Sequence, residues 1–522
     1  MATSPEPLTP RPRVLLIAKA TPFIWVHHYV KAFRACCEVI TVGPTPTLSE
    51  LEKDGRARLA HLVAPNDICN DLQDISELQS LLPGDWTPDL LVTIQSGMEP
   101  PRDIERLPCP TAYISVDSWH DSSEFINARP YEHVFVAQRE FVDWFRAAGC
   151  GNTHWLPLAC DPLVHRPVDA PKEYDVAFVG SCSRTLHAQR VERLARLARR
   201  FTVLLRDGLS EEEMRSELAR GRLAFNSSVA QDVNMRVFEV MAMGLPLLTN
   251  RDAACNGLFE LFDDRKHLIA YDDDTLLEVA REYLRDAEAR SQIAQTGRQE
   301  VVAKHTYAHR VRQIIDTVLP TGRYVSQAMQ RQSGDLLAYL PNSPGIVVDL
   351  EMSANTSKYA MRRRGADRFI GVVGSGETAA MRRNSYDDVW VVDDIYAGRI
   401  RADTAILAGS NRSPVTEKSI LLAWDLLKAG GTLIAAVRGE DIRALTGTDS
   451  AEDLWRWFEC NRFAVLLADE KRSARSGHSV VFLKARKQTR SLREVIREVY
   501  ERHPLPGLSM DTIISKLPDF GG

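Results

Sequence analysis

Short apolar runs alternate with amphipathic stretches along most of the chain. Residues 14–18 are apolar on both faces, as a strand buried inside a parallel sheet must be. A helical stretch through Trp25, His28 and Phe33 follows, and 38–43 returns as a second strand. Runs at 90–94, 111–116 and 133–137 predict further strands, joined by connections long enough for crossover helices. Prolines 157, 162, 167 and 171 then interrupt every regular period. Beyond them the alternation restarts with strand 175–180, helix 190–199, strand 201–205, a helix opened by a Ser210/Glu213 capping box, and strand 223–226. Helices are expected at 276–285, 287–304 and 307–318. A third alternating unit starts after Gly322, with a helix at 329–340 and strands at 346–350, 368–373, 388–392, 404–407, 432–437 and 479–483.

This pattern predicts an α/β protein with two facing Rossmann-like domains followed by a third Rossmann-like domain. The expected divisions are a disordered tail at 1–10, a first domain at 11–165, a second at 166–322, a third at 323–503 and a tail at 504–522. The last helix of the second domain is expected to pack back on the first. Ligands of such sheets sit at the carboxyl ends of the strands, which is where Gly180, Asn226 and the helix starting at Asn234 fall.

Residues 234–250 carry the densest signal. Asn234 is a suitable N-cap, Val237, Phe238 and Met241 form an apolar stripe, Gly244 suits a left-handed helix end, and Pro246 prevents the helix from resuming. Arg236 and Glu239 stand three apart on one face, close to the amino end that favours an anionic ligand. Backbone N–H groups, a guanidinium and a carboxylate in one place suit a nucleotide diphosphate and its ribose. An ordinary solvated salt bridge is the competing account.

Composition narrows the setting. With 522 residues, 44% hydrophobic and 26% charged, the chain reads as a soluble multidomain protein, and its net charge of −5 gives no general basic field for nucleic acid. Nine cysteines are scattered without a Cys-x-x-Cys pair, so neither a zinc site nor a disulfide framework is expected. No stretch of eighteen apolar residues occurs, and residues 1–10 lack the apolar segment of a secretion signal, so a cytoplasmic protein without a membrane span is expected. Asp272, Asp273 and Asp274 precede a helix and are read as amino-terminal helix charge, with no metal implied.

Three stretches together resemble the CgeB-like (spore maturation protein type) bacterial glycosyltransferases of GT-B architecture: 154–161 with 174–180, then 232–249, then Gly297-Arg298 with 305–310. The resemblance implies metal-independent transfer of a sugar from a nucleotide diphosphate donor, with a UDP-sugar first among donors and no cofactor. The acceptor it implies is a protein or polysaccharide, with a modified nucleic acid also open. Glu239 matches the carboxylate that grips the donor ribose in related retaining enzymes. Those enzymes carry another glutamate eight positions earlier, and here that place is Gln231. Arg184 and Arg236 are candidates to neutralise the diphosphate, alongside Gly180, Asn226 and Asn234 on the donor side. Asp117 and His120 follow a first-domain strand and are the candidate catalytic pair, the Asp orienting the His as a base. Trp25 and His28 are placed at the acceptor side of the cleft.

The third unit resembles class I methyltransferases that use S-adenosylmethionine. The turn after Asp349, residues 350–356, holds no glycine, and the acidic residue expected after the next strand is replaced by the run 372–375, Val-Val-Gly-Ser. It is therefore expected to be catalytically inactive, supporting the fold, the acceptor or a homodimer, with Gly430-Gly431 making only a turn. A non-catalytic nucleotide-sugar-binding scaffold and a bifunctional glycosyltransferase/methyltransferase are the alternatives.

Overall fold

The structure is a computed structural model. It describes residues 11–319 apart from 23, 54–55, 85, 105–106, 108 and 185–186, and residues 339–504 apart from 342, 351–360, 363–364, 374–385, 392–400, 409–413 and 473–478, with 509, 510 and 513. The expected tail 1–10, the helix at 329–340 and most of 504–522 lie outside the described residues.

Three sheets organise the chain. The first is wholly parallel, in the order β2-β1-β3-β4-β5-β6, from β1 (Arg13–Ile17), β2 (Glu38–Val42), β3 (Leu90–Ile94), β4 (Thr111–Ser115), β5 (His133–Val136) and β6 (Thr153–Trp155). The second is also parallel, in the order β11-β10-β9-β7-β8, from β7 (Tyr174–Val179), β8 (Val203–Arg206), β9 (Gly221–Phe225), β10 (Leu247–Asn250) and β11 (Ile269–Tyr271). These are the two facing Rossmann-like lobes of a GT-B fold. The third sheet runs β14-β13-β12-β15-β16-β18-β17, from β12 (Gly345–Leu350), β13 (Ala366–Val373), β14 (Asp388–Val391), β15 (Ala402–Ala408), β16 (Leu427–Arg438), β17 (Phe463–Arg472) and β18 (Ser479–Lys487). Only β18 is antiparallel to its neighbours there.

Each sheet reverses strand order beside its first strand: at β1 between β2 and β3, at β7 between β8 and β9, and at β12 between β13 and β15. Diverging connections leave a crevice at the carboxyl end of such a strand. In the second lobe Gly180 and Asn226 stand at that crevice, directly after β7 and β9.

One apolar core runs through both lobes, joining Val14 and Phe33 to Phe238, Met241, Tyr307 and Val311. The helix Tyr307–Val318 crosses back onto the first-lobe helix Trp25–Cys36. Arg310 pins this crossing: its Nε donates to the Pro157 carbonyl at 2.6 Å and its Nη2 to that of Leu158 at 3.2 Å. Arg298 donates to the Ala242 carbonyl at 3.2 Å, at the carboxyl end of the helix Met235–Ala242. The 297–310 residues that resemble a family motif thus act here as struts.

The third domain is fastened to the first lobe. Its final helix, Leu492–Arg502, is capped by a Ser491/Glu494 box and turns Leu492, Val495, Ile496 and Val499 into a core shared with Phe141, Trp144 and Phe145 of the first lobe. That spacing is one face of an amphipathic helix, and each such side chain contributes about 1.5–3 kcal/mol when fully buried. Gly430, at φ +70°, approaches Gly151 of the first lobe so closely that a Cβ on either would enter the other's backbone. Its role is therefore a close interdomain contact, beyond the turn expected from sequence. Arg486 and Gln488 donate to the carbonyls of Arg129 and Ala148 at 2.6 and 3.2 Å. Glu140 joins all three units: it accepts from His503 at 2.8 Å and from Asn256 of the second lobe at 3.1 Å, with Arg502 at 3.3 Å. Among the described residues, no helix is long and apolar enough to cross a membrane.

Candidate active site

The lobes enclose a cavity of about 490 Å³ where their crevices face each other. Gly180, Asn226, Asn234, Arg236 and Glu239 line it from the second lobe, and Trp25 and Asp117 from the first. The chain folds this way locally because the helix Met235–Ala242 is buried along 237–242, leaving its amino end as the part that meets the cavity. Gly244, at φ +70°, ends the helix by turning the chain toward β10.

Asn234 stands at the N-cap position with extended backbone, but its side chain makes no capping bond. It donates instead to Asn226 Oδ1 at 3.2 Å, while Asn226 donates to Thr249 Oγ1 at 3.0 Å. The capping bond expected from sequence is thus exchanged for a tie between the helix start and β9. Its own Oδ1 is a buried acceptor with no partner among the described residues.

Glu239 is only 6% exposed, so the solvated surface pair considered from sequence does not describe it. Its carboxylate lies 3.2 Å from Arg236 Nη1 and 3.7 Å from His165 Nε2. His165, in the proline-rich crossover, accepts the Asp161 backbone N–H on Nδ1 at 3.1 Å. A neutral ring fixed in this way carries its proton on Nε2, the nitrogen that faces Glu239. Arg236 therefore pairs with Glu239 on one side, while His165 Nε2 faces it on the other without a hydrogen bond.

Arg184 is exposed on a turn and does not line the cavity. Arg190, from the helix Ala188–Ala198, takes that place. Its Nε and Nη2 donate to the Ser227 carbonyl at 3.1 and 2.9 Å, and its Nη1 to that of Ser181 at 2.9 Å. It ties together the loops after β7 and β9, and burial lowers its pKa to about 10. Arg56 brings a further guanidinium into the cavity from the first lobe.

On the first-lobe side, Gln95 sets the geometry. Its carbonyl accepts the Trp25 indole N–H at 2.8 Å, and its Oε1 accepts the backbone N–H groups of Val116 and Asp117 at 2.6 and 2.9 Å. Burial pushes the Asp117 carboxyl up to about 6, with His120 opposing. His120 is exposed and does not line the cavity, and its described bond to Asp117 is backbone to backbone. The structure therefore does not form the side-chain Asp–His hydrogen bond expected from sequence.

His28 is buried behind the cavity wall and does not line it. Its Nε2 lies 2.8 Å from Glu211 Oε1 across the lobes, and its ring stacks on Tyr307. Burial would raise the Glu211 carboxyl, but His28, with His165 and His27 behind it, holds it below the usual range. Polar atoms of His28, His165 and Glu211 lie within 4.8 Å of one another. A cation there would need the Nε2 lone pair of His165, and the bond to Asp161 leaves a proton on that nitrogen. Asp273, read from sequence as helix charge, instead pairs with buried Arg193 at 2.6 Å.

Residues missed by sequence reading are Asp232, Arg190, Gln95, His165 and Glu211. Gln231, in the place of the relatives' glutamate, is exposed, and its side chain meets Cys255 at 3.2 Å. Its neighbour Asp232 lines the cavity instead.

Residues 163–316 match the family model described as glycosyl transferase-like. The matched residues take in the second lobe, and the match covers less than half of the chain. Comparison with curated proteins gave no match. Among solved structures, HepE from Anabaena, in complex with UDP-glucose, is similar at 12% identity over 59% of this chain and 100% of its own, with a TM-score of 0.41. Sucrose-phosphate synthase from Thermosynechococcus elongatus is similar at 12% identity over 59% and 100%, with a TM-score of 0.39. N-methyltransferase NodS from Bradyrhizobium japonicum is similar at 11% identity over 28% of this chain and 87% of its own, with a TM-score of 0.22.

Proposed function

We propose that the chain is a glycosyltransferase of the CgeB-like kind, moving a sugar from a nucleotide diphosphate to an acceptor hydroxyl without a metal. One observation carries this reading: the glycosyl transferase-like lobe opens its strand crevice onto the cavity through Arg236 and Glu239. Glu239 takes the ribose hydroxyls. Arg236 and the amino end of its helix hold the diphosphate, and Arg56 adds positive charge from the facing lobe. Stabilising the departing diphosphate in this way lowers the barrier to breaking the sugar–phosphate bond. Asp117, at the end of β4, accepts the proton of the attacking hydroxyl. Trp25 supplies an aromatic wall for the acceptor. UDP-sugars are the first donor class to test, and protein or polysaccharide the first acceptors.

The third domain supports the transferase lobes and methylates nothing. Asp349, at its strand crevice, is fully buried and accepts the Tyr386 hydroxyl at 2.7 Å. The remainder of the turn expected after Asp349 lies outside the described residues.

The test is nucleotide release from a panel of nucleotide sugars by the full chain, wild type against Glu239→Ala and Arg236→Ala. Release that depends on both residues supports the reading; release and donor affinity unchanged in both overturn it. Saturable micromolar binding of S-adenosylmethionine in calorimetry would overturn the reading of the third domain.

A further inference from the structure

One buried histidine touches both lobes and the crossover that joins them. His28 belongs to the first-lobe helix Trp25–Cys36. Its Nε2 lies 2.8 Å from Oε1 of Glu211, in the first turn of the second-lobe helix Glu211–Ala219. Its Nδ1 lies 4.0 Å from Oδ2 of Asp161 in the crossover. A neutral imidazole has one N–H to offer and the charged ring has two. A ring with a carboxylate facing each nitrogen is therefore set to hold a proton on both. The same ring stacks on Tyr307 at 5.0 Å, and an aromatic face favours a cation. The other charges at this junction are already engaged. Lys31 stands 2.5 Å from Asp161 and Arg236 3.2 Å from Glu239, while Arg58 pairs with Glu213. Arg310 donates to the Pro157 and Leu158 carbonyls. His165 is held neutral by its bond to Asp161, burial pushes His27 toward its neutral form, and Glu212 is exposed. Among the described residues Glu211 pairs with no Lys or Arg, so its counter-charge beyond the helix dipole is His28.

We propose that His28 is a positioning residue which, as an imidazolium, fastens Glu211 and with it the second lobe to the first, so that the cleft is held together while that proton is bound. The pairing stands on its own geometry, and its consequence for turnover rests on the glycosyl-transfer reading above. Glu211 lies one turn before Met214, whose sulfur meets the Arg236 guanidinium, and both line the cavity. The element that His28 fastens is thus the one packed against the donor-side arginine. Losing the proton strands an ionised Glu211 at the cavity wall, because a carboxylate shielded from water needs a partner. The imidazolium contributes while the ring is charged, and that contribution is lost as pH rises through its titration. Imidazole changes charge between about pH 5 and 8. Burial would raise the Glu211 carboxyl, but His28 holds it below the usual range, so its share is lost only at lower pH. The junction is firmest between the two titrations and loosens toward alkaline pH.

Histidine-selective nitrogen labelling of the full chain reads the ring by NMR without any substrate, with His28→Gln assigning the signal. The His28 ring should carry both N–H groups at about pH 5.5 and lose one as pH rises. In Glu211→Gln that loss should come about one pH unit or more lower. A His28 ring already neutral at about pH 5.5, or one that titrates alike in wild type and Glu211→Gln, overturns the proposal. In nucleotide-sugar turnover, His28→Gln should lower kcat/KM by about 10-fold or more by leaving Glu211 charged opposite an amide. The double variant His28→Gln/Glu211→Gln pairs two amides without charge. It should recover most of that loss, and its kcat/KM should lack the alkaline decline of the wild type. A double variant no better than His28→Gln overturns the proposal. Because it strands no charge, the double variant also supplies the NMR assignment if His28→Gln does not fold. If the wild type turns over no nucleotide sugar, the glycosyl-transfer reading fails, and the imidazole titration still decides the pairing.

Discussion

The second lobe and the third domain share the same reversal of strand order, in a wholly parallel sheet and a mixed one respectively, but they use the resulting crevice differently. In the second lobe the strands end at Gly180 and Asn226, and the helix that follows brings Arg236 and Glu239 to an open cavity. In the third domain the acid at the end of the central strand, Asp349, is buried and bonded to Tyr386. Topology supplies the crevice in both. What separates them is how the polar groups at its rim are already engaged, which is why function has to be argued from the site and not from the fold.

Breaking the second-lobe side of this comparison should have the largest effect. Arg236→Ala or Glu239→Ala each removes a charged contact, so nucleotide-sugar affinity in calorimetry should fall by about 10- to 100-fold, equivalent to ~1.5–3 kcal/mol. Attachment of the third domain is tested by Gly430→Ala, whose methyl has no room against Gly151. A loss of about 1–3 kcal/mol is expected, seen as a lower Tm and faster proteolysis between the domains. Tyr386→Phe leaves Asp349 buried without its hydroxyl partner. It should destabilise the third domain by ~1–3 kcal/mol in denaturant melts while nucleotide-sugar turnover is unchanged. Turnover that fell in step with stability would show that this crevice matters to the chemistry.

The smallest effect should come from Glu140→Gln, at about 1 kcal/mol, and it should depend on pH. Burial alone would raise the Glu140 carboxyl, but His503, Asn256 and Arg502 hold it below its ordinary value of 4.5. A depressed carboxyl stabilises the folded state above the unfolded value and loses that contribution as pH falls through the folded one. Urea midpoints of wild type and variant should therefore differ at neutral pH and converge below pH 4.5.

Apolar periodicity made most of the fold legible. The helices 276–285, 287–304 and 307–318 agree with their predicted limits, because amphipathic spacing and flanking turns mark both ends. Strand β6 was missed because Thr153, His154 and Trp155 form no apolar run, and β17 because its last four residues, Asp469 to Arg472, are all charged. The site was legible where one segment carries it, as around Asn234. It was not legible where distant segments converge. Glu211 and His165 meet His28, and Asp232 meets Gln138, only through lobe packing, and no local spacing announces that.

The helix Leu492–Arg502 joins a core whose buried first-lobe members run from Leu15 to Cys150. Chains emerge from the ribosome amino end first, so the first lobe must wait, with Phe141 and Trp144 uncovered, until the helix Leu492–Arg502 has been made. The first two lobes expressed alone would keep that apolar patch bare. Trimming this protein to those lobes should yield aggregates in place of a smaller folded protein.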